Sequence, residues 1–258
     1  MLCKHLLLFK VTHVMRIYTF IAITIMTGTL FPSVTWANTD EEIAGDMATL
    51  FRSARAVISK HQDHINDPAL GDKGLSADVV IKETKENYKS STGRDLVIDP
   101  ETKAGQYLQA ELDAIRAVMD ESQTLINEKD KGFKGFLPAV FGGQVATKTT
   151  EVLAGKAEIK LTAPKNYVRN RKNRPDSWED NVIETMFKAP DYTKDKTFSE
   201  MANKDGKQAF RFILPEYYKE GCLNCHGDPK GETDISGGKK EGGKLGELGG
   251  AISITIYK

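Results

Sequence analysis

Hydrophobic positions recur with a helical period from Thr39 to about Ile65. Ile43, Met47, Leu50, Ala54, Val57, His61 and His64 follow one another at alternating spacings of four and three, which places them on one face. "NDPALGDKG" ends this helix with Pro68, Gly71 and Gly74. A weaker helical stretch covers 76–89, and "TGRDLVIDP" reads as a short extended or turn segment. A second strongly amphipathic helix spans about 103–124, with Leu108, Leu112, Ile115 and Met119 on one stripe. Pro138 in "KGFKGFLPAVFGG" is placed to open a further helix running towards Leu153.

The period then changes. "AEIKLT" alternates, with Ile159 and Leu161 on one side and Glu158 and Lys160 on the other, as in a half-buried strand. Asp176 or Ser177 is a helix start, followed by Trp178, Val182 and Met186 on one face. "KTFSEMANKDGKQAFRFIL" predicts two strands around an Asp-Gly turn at 205–206. The final "GAISITIYK" alternates Ile252, Ile254 and Ile256 with Ser253 and Thr255. Long helices followed by antiparallel-type strands predict an α+β domain, a small sheet packed by helices on one side. No repeat and no Pro-, Gly- or Ser-rich linker divides 38–258, although a helical part (about 38–155) and a sheet part (about 156–258) are distinguishable.

Charge narrows the function classes. The 36 basic and 36 acidic residues balance, which gives no electrostatic case for binding nucleic acid or an anionic membrane. Residues 1–37 differ from the rest. They carry Lys4, Lys10 and Arg16 and no acid, then the apolar run Ile17–Leu30, then "SVTWAN" with small residues where a signal peptidase needs them. This predicts export to the periplasm or an equivalent compartment, with cleavage after Ala37 and Met15 as an alternative start. The apolar run is short for a membrane span, so no stable span is expected after cleavage; an uncleaved anchor is the alternative.

Cleavage changes the inventory of reactive groups. Cys3 leaves, and the remaining chain has only Cys222 and Cys225, with His61, His64 and His226. Two cysteines are few for a disulfide-stabilised exported chain, which points to chemistry rather than stapling. They stand in "GCLNCHG". Zinc would need about four ligands, and neither the adjoining His226 nor the short His61-x-x-His64 spacing suits a usual site. A thiol–disulfide oxidoreductase would place the pair after a strand in a βαβ setting, and no such pattern is visible. Cys-x-x-Cys-His is the attachment signature of c-type haem. Its two thiols are spaced to add to two vinyl groups, and the next imidazole then reaches the iron. On that reading Cys222 and Cys225 form thioethers to one haem c and His226 is the proximal iron ligand.

The other side of the iron is open to several readings. His61, His64, Met47, Met119, Met186 and Met201 are the neutral nitrogen or soft sulfur candidates. His61 continues the apolar stripe of the first helix and is a candidate distal ligand or pocket residue. It is equally readable as a hydrogen-bonded core histidine. His64 adjoins a turn and reads as exposed. The segment 237–250 has phosphate-loop-like glycine and lysine spacing, but Leu245 stands where Ser or Thr is required. It reads as a surface loop whose Lys239, Lys240 and Lys244 either reach haem propionates or are solvated.

"GCLNCHGDPKGETDISGGKKEGGKLGELGGAISITI" resembles the c-type haem family with a Tll0287-like domain. "VRNRKNRPDSWED", with Arg169, Asn170, Pro175, Trp178 and Glu179, "KGFLPAVFG" and "INDPALGDKG" are similar to family segments as well, so the resemblance runs from about residue 54 to the C-terminus. It implies a PAS-like α+β fold, one covalent haem on Cys222, Cys225 and His226, and an exported protein acting in redox or gas sensing. One branch of the family takes its second iron ligand from a cysteine in the N-terminal helical part. Residues 38–258 have no such cysteine, which leaves that position open or filled by another residue such as His61.

Two function classes follow. A haem-based sensor would bind a small gas or change oxidation state and signal through a separate partner. A soluble periplasmic electron-transfer cytochrome would need only a redox partner protein. No second acid–base constellation accompanies the motif, so an enzyme is the least supported class.

Overall fold

The computed structural model describes residues 39–258. The expected signal segment 1–37, with Cys3, Met15 and the cleavage point after Ala37, lies outside the described residues.

Helix α1 (Asp40–Lys60) starts where Thr39 caps it, in a reciprocal arrangement with Glu42. The predicted continuous helix to Ile65 breaks at His61, whose backbone (φ −95°, ψ 12°) leaves the helical region before a short α2 (Gln62–Asn66). The imidazole there is engaged by Glu83, at 3.0 Å. Three further helices follow: α3 (Ala77–Thr92), α4 (Lys103–Ile126) and α5 (Pro138–Leu153). Pro138 occupies the first turn of α5, where its missing N–H costs nothing. The segment between α3 and α4 is irregular.

The four strands among the described residues are β1 (Ala157–Thr162), β2 (Phe198–Lys204), β3 (Lys207–Tyr217) and β4 (Leu248–Tyr257). They form one antiparallel sheet in the order β1-β4-β3-β2. The β2–β3 hairpin turns at Asp205 (φ 53°) and Gly206 (φ 84°), the left-handed pair that a tight hairpin requires. This is the α+β architecture expected, with long N-terminal helices on a small sheet.

The two faces of the sheet differ from expectation. Ile252, Ile254, Ile256, Phe212, Leu214 and Ile159 join the helices in the main core. The opposite face is also covered. Helix α6 (Ser177–Val182) and the wider π-helical turn Ile183–Phe187 pack Val182, Ile183 and Phe187 onto Ile213, Leu248 and Ala251. Helices therefore lie on both faces, and Ser253 and Thr255 are buried at 2% and 3% exposure. Asp176 anchors α6. It caps the helix and binds Arg211 of β3, which is stacked 4.2 Å from the Trp178 ring centroid.

One link aligns the helical layer with the end of β3. Glu216 binds Arg52 and Arg55 of α1, at 2.5 and 2.8 Å. The chain then turns directly into the segment that carries the cysteine pair.

Candidate functional site

After β3, Tyr218 leads into a last helix, α7 (Glu220–His226). A single helical turn separates Cys222 from Cys225 and His226, so spacings of three and four put all three on one side. Both cysteines are free and partly buried. Gly227 ends the helix by donating its N–H to the Leu223 carbonyl, at 2.8 Å. A Cβ there would lie 2.6 Å from that oxygen, so the close approach requires glycine.

His226 is held by two contacts to its ring and one to its backbone. Its Nδ1 lies 2.8 Å from Glu241 Oε2. An ionised carboxylate can only accept, so Nδ1 carries a proton, and in the neutral imidazole the lone pair is on Nε2. Tyr218 stacks on the imidazole, with centroids 5.3 Å apart and planes at 23°. The His226 carbonyl accepts from the Gly243 N–H at 2.7 Å. Tyr218 fits only because its flanks are glycine: a Cβ on Gly243 or Gly249 would lie 2.3 or 2.5 Å from its ring. The Tyr218 hydroxyl is buried with no hydrogen-bond partner among the described residues. Burial, with the Glu241 charge, pushes this phenol well above its ordinary value.

Arg169 ties the surroundings together. Its guanidinium binds Asp234 and both oxygens of Glu241, and donates to the carbonyls of Cys225 (2.6 Å) and Lys239 (3.0 Å). Burial alone would raise both carboxyls. Arg169 and His226 outweigh it at Glu241, which lies below its usual range. Ser236 and Arg169 hold Asp234 at about 2. Burial, reinforced by the Asp234 charge, pushes the Cys225 thiol up, opposite to the shift that activates a redox thiol. The glycine-rich loop is a small hairpin around a Thr233–Lys239 bridge. Lys239 and Lys240 are bound within it, to Thr233 and Glu232.

Of the other predicted candidates, His61, His64, Met47 and Met119 lie in the helical part, whereas Met186 (in the π-helical turn, packed beside Val182, Ile183 and Phe187) and Met201 (on β2) lie in the sheet part. His61 Nε2 is on Glu83 of α3. His64 Nε2 lies 2.7 Å from the Lys73 carbonyl and so donates to it. Their rings are 6.4 Å apart, and no hydrogen bond or ring contact joins either to α7. Met47 and Met119 are core residues, whereas Met201 is half exposed. Among the described residues no group of three or more His, Cys, Asp or Glu converges as a metal cluster.

Sequence reasoning located Cys222, Cys225 and His226 but missed Glu241, Asp234 and Tyr218. Arg169 was visible only as part of "VRNRKNRPDSWED", without a role. A glutamate in a glycine- and lysine-rich run gives no local sign of burial.

A family model described as Tll0287-like matches residues 94–256. That match includes the segments around Arg169, the cysteine pair and Glu241, and leaves "INDPALGDKG" outside it. No curated protein and no solved structure matches the chain.

Proposed function

Because the chain belongs to the Tll0287-like family, a haem-binding, cytochrome-like family, we propose that it is an exported protein carrying one haem c and acting in redox or gas sensing. Cys222 and Cys225 would form the thioethers and His226 would bind the iron. The observation that carries this reading is the state of His226. Glu241 engages Nδ1, so in the neutral ring Nε2 carries the lone pair, on the same helical side as two free thiols. The group fits the residues present. The thiols and the imidazole share one turn, and the buried, unpartnered Tyr218 hydroxyl beside them is a polar atom awaiting a partner. Bound haem would supply one-electron redox chemistry and a coordination site for a diatomic gas. The chain's own part is to fix the imidazole through Glu241 and Tyr218, and to anchor α7 to Arg169.

The second iron position is open in this proposal. His61 and His64 each have Nε2 committed within the helical part, to Glu83 and Lys73. Either would have to leave its partner to serve as a ligand. An open position favours a gas ligand with a separate signalling partner.

A soluble electron-transfer cytochrome is the second reading. Ile235 and Leu245, 66% and 62% exposed, flank the loop that holds Glu241 and offer apolar contact to a redox partner. Among the described residues no helix is long and apolar enough to cross a membrane.

Mass spectrometry of the exported, purified protein tests the central point. A haem mass should survive denaturation and vanish in Cys222→Ala/Cys225→Ala, and an N-terminus at Asn38 would accompany it. Absence of covalent haem in the native chain refutes the proposal. Ferrous spectra with and without CO separate the readings, since a gas-inert six-coordinate iron would remove gas sensing.

A further inference from the structure

The carboxylate on His226 asks for an explanation beyond attachment, because attachment needs only two thiols and an imidazole. A neutral carbonyl or water on Nδ1 would orient the ring equally well. This chain instead brings in Glu241, fifteen residues further on, with its side chain only 8% exposed. It also supplies the means to keep Glu241 charged and fixed. Arg169 binds both of its oxygens, is itself bound by the fully buried Asp234 carboxylate, and donates to the Cys225 carbonyl next to His226. Arginine suits this role because its planar fork can serve two carboxylates and two carbonyls at once.

We infer that Glu241 is a positioning residue that makes His226 a strong electron donor to iron, with Arg169 as its orienting partner. This rests on the proposed haem attachment at Cys222, Cys225 and His226. An anionic acceptor on Nδ1–H draws the proton towards itself and raises the basicity of Nε2. A more basic ligand stabilises ferric over ferrous iron, which has one positive charge fewer. The midpoint potential is therefore held lower than a neutral acceptor would set it. Tyr218, stacked on the ring, prevents the imidazole from rotating away from the carboxylate.

The test uses the haem-loaded full chain and two readouts, the midpoint potential and the iron–histidine stretching frequency. Glu241→Gln keeps the shape and removes the charge. It should move the ferric-to-ferrous ratio at fixed potential about tenfold towards ferrous, equivalent to about 59 mV for one electron, and lower the stretching frequency. Asp234→Asn removes an equal charge from Arg169 without touching His226, and should leave the frequency unchanged. Glu241→Asp should stay closer to the native values than Glu241→Gln, and Arg169→Lys should shift both readouts in the Glu241→Gln direction. If Glu241→Gln does not accumulate with haem, Glu241→Asp and Arg169→Lys decide. Native midpoint and frequency in every haem-loaded variant overturn the inference, as does an Asp234→Asn shift equal to that of Glu241→Gln in both readouts. A native chain without haem instead overturns the attachment reading, so the two failures are distinct.

Discussion

Replacing Asp176 tests how α6 is held on the second face of the sheet. Its Oδ1 accepts the N–H groups of Trp178 (3.0 Å) and Glu179 (2.9 Å), which caps the helix. Arg211, 2% exposed, binds the same carboxylate at 2.8 and 3.2 Å, and Lys204 binds it at 3.0 Å. Asp176→Ala removes the cap, at about 1 kcal/mol. It also strands a buried guanidinium, which costs about 3–5 kcal/mol when no partner remains. Here Glu179 stays within 3.4 Å of Arg211, and Asp176 is itself about a quarter exposed, so the low end applies. The sum is about 4 kcal/mol, or roughly 10 °C in Tm for a chain of this size. Asp176→Asn keeps a cap acceptor and should lose about 1 kcal/mol less. The pH dependence gives an independent check. Burial would raise the Asp176 carboxyl, but Arg211, the Glu179 N–H and Lys204 hold it far below its usual value. A carboxyl depressed in the folded state adds stability that is complete above its unfolded pKa of about 3.9 and is lost as pH falls through the folded value. Urea unfolding at several pH values should therefore show the gap between the native chain and Asp176→Asn begin to close by about pH 3. A loss under 1 kcal/mol for Asp176→Ala at pH 7, or a gap constant with pH, would refute the account.

Three other outcomes follow. Gly249→Ala places a Cβ 2.5 Å from the Tyr218 ring, so it should cost about 1–3 kcal/mol and change the near-ultraviolet dichroism of that tyrosine. Glu111 is fully buried in α4 with both oxygens unpartnered among the described residues, and burial pushes its carboxyl well above the usual value. The native chain should therefore lose stability as pH rises above about 4.3, while Glu111→Leu should remove that slope and gain about 1–3 kcal/mol at pH 7. Glu216→Gln weakens the link from Arg52 and Arg55 to the end of β3. Because these arginines reach solvent, it should cost only about 1–2 kcal/mol in a thermal melt.

Most elements were legible because their apolar periods are long and their ends are marked. Pro138 and the Asp205-Gly206 pair act through local backbone chemistry, and the structure uses both as the sequence predicts. The alternation in "GAISITIYK" was legible too, but what covers its polar side was not. Alternation reports which residues differ across a strand; it does not say whether the second face meets water. Ser253 and Thr255 are small enough to lie under α6, and that packing depends on an element seventy residues earlier. The partner of His61 was not legible either, since Glu83 belongs to another helix.

The site divides along the same line. Cys222, Cys225 and His226 are legible because Cys-x-x-Cys-His is a local motif within one turn, so spacing carries the information. Glu241 and Asp234 sit in a run whose glycines and lysines read as solvated, yet their side chains are 8% and 0% exposed. Composition records each residue's preference for water when it is alone. A buried carboxylate alone is costly, but one bound to a guanidinium is a different species energetically. Arg169 provides that pairing from the other side of the site. A polar loop can therefore fold inwards wherever one distant arginine has enough donors to meet it. The residues proposed to attach a group are readable one turn at a time; those proposed to tune it become visible only when the chain has closed around Arg169.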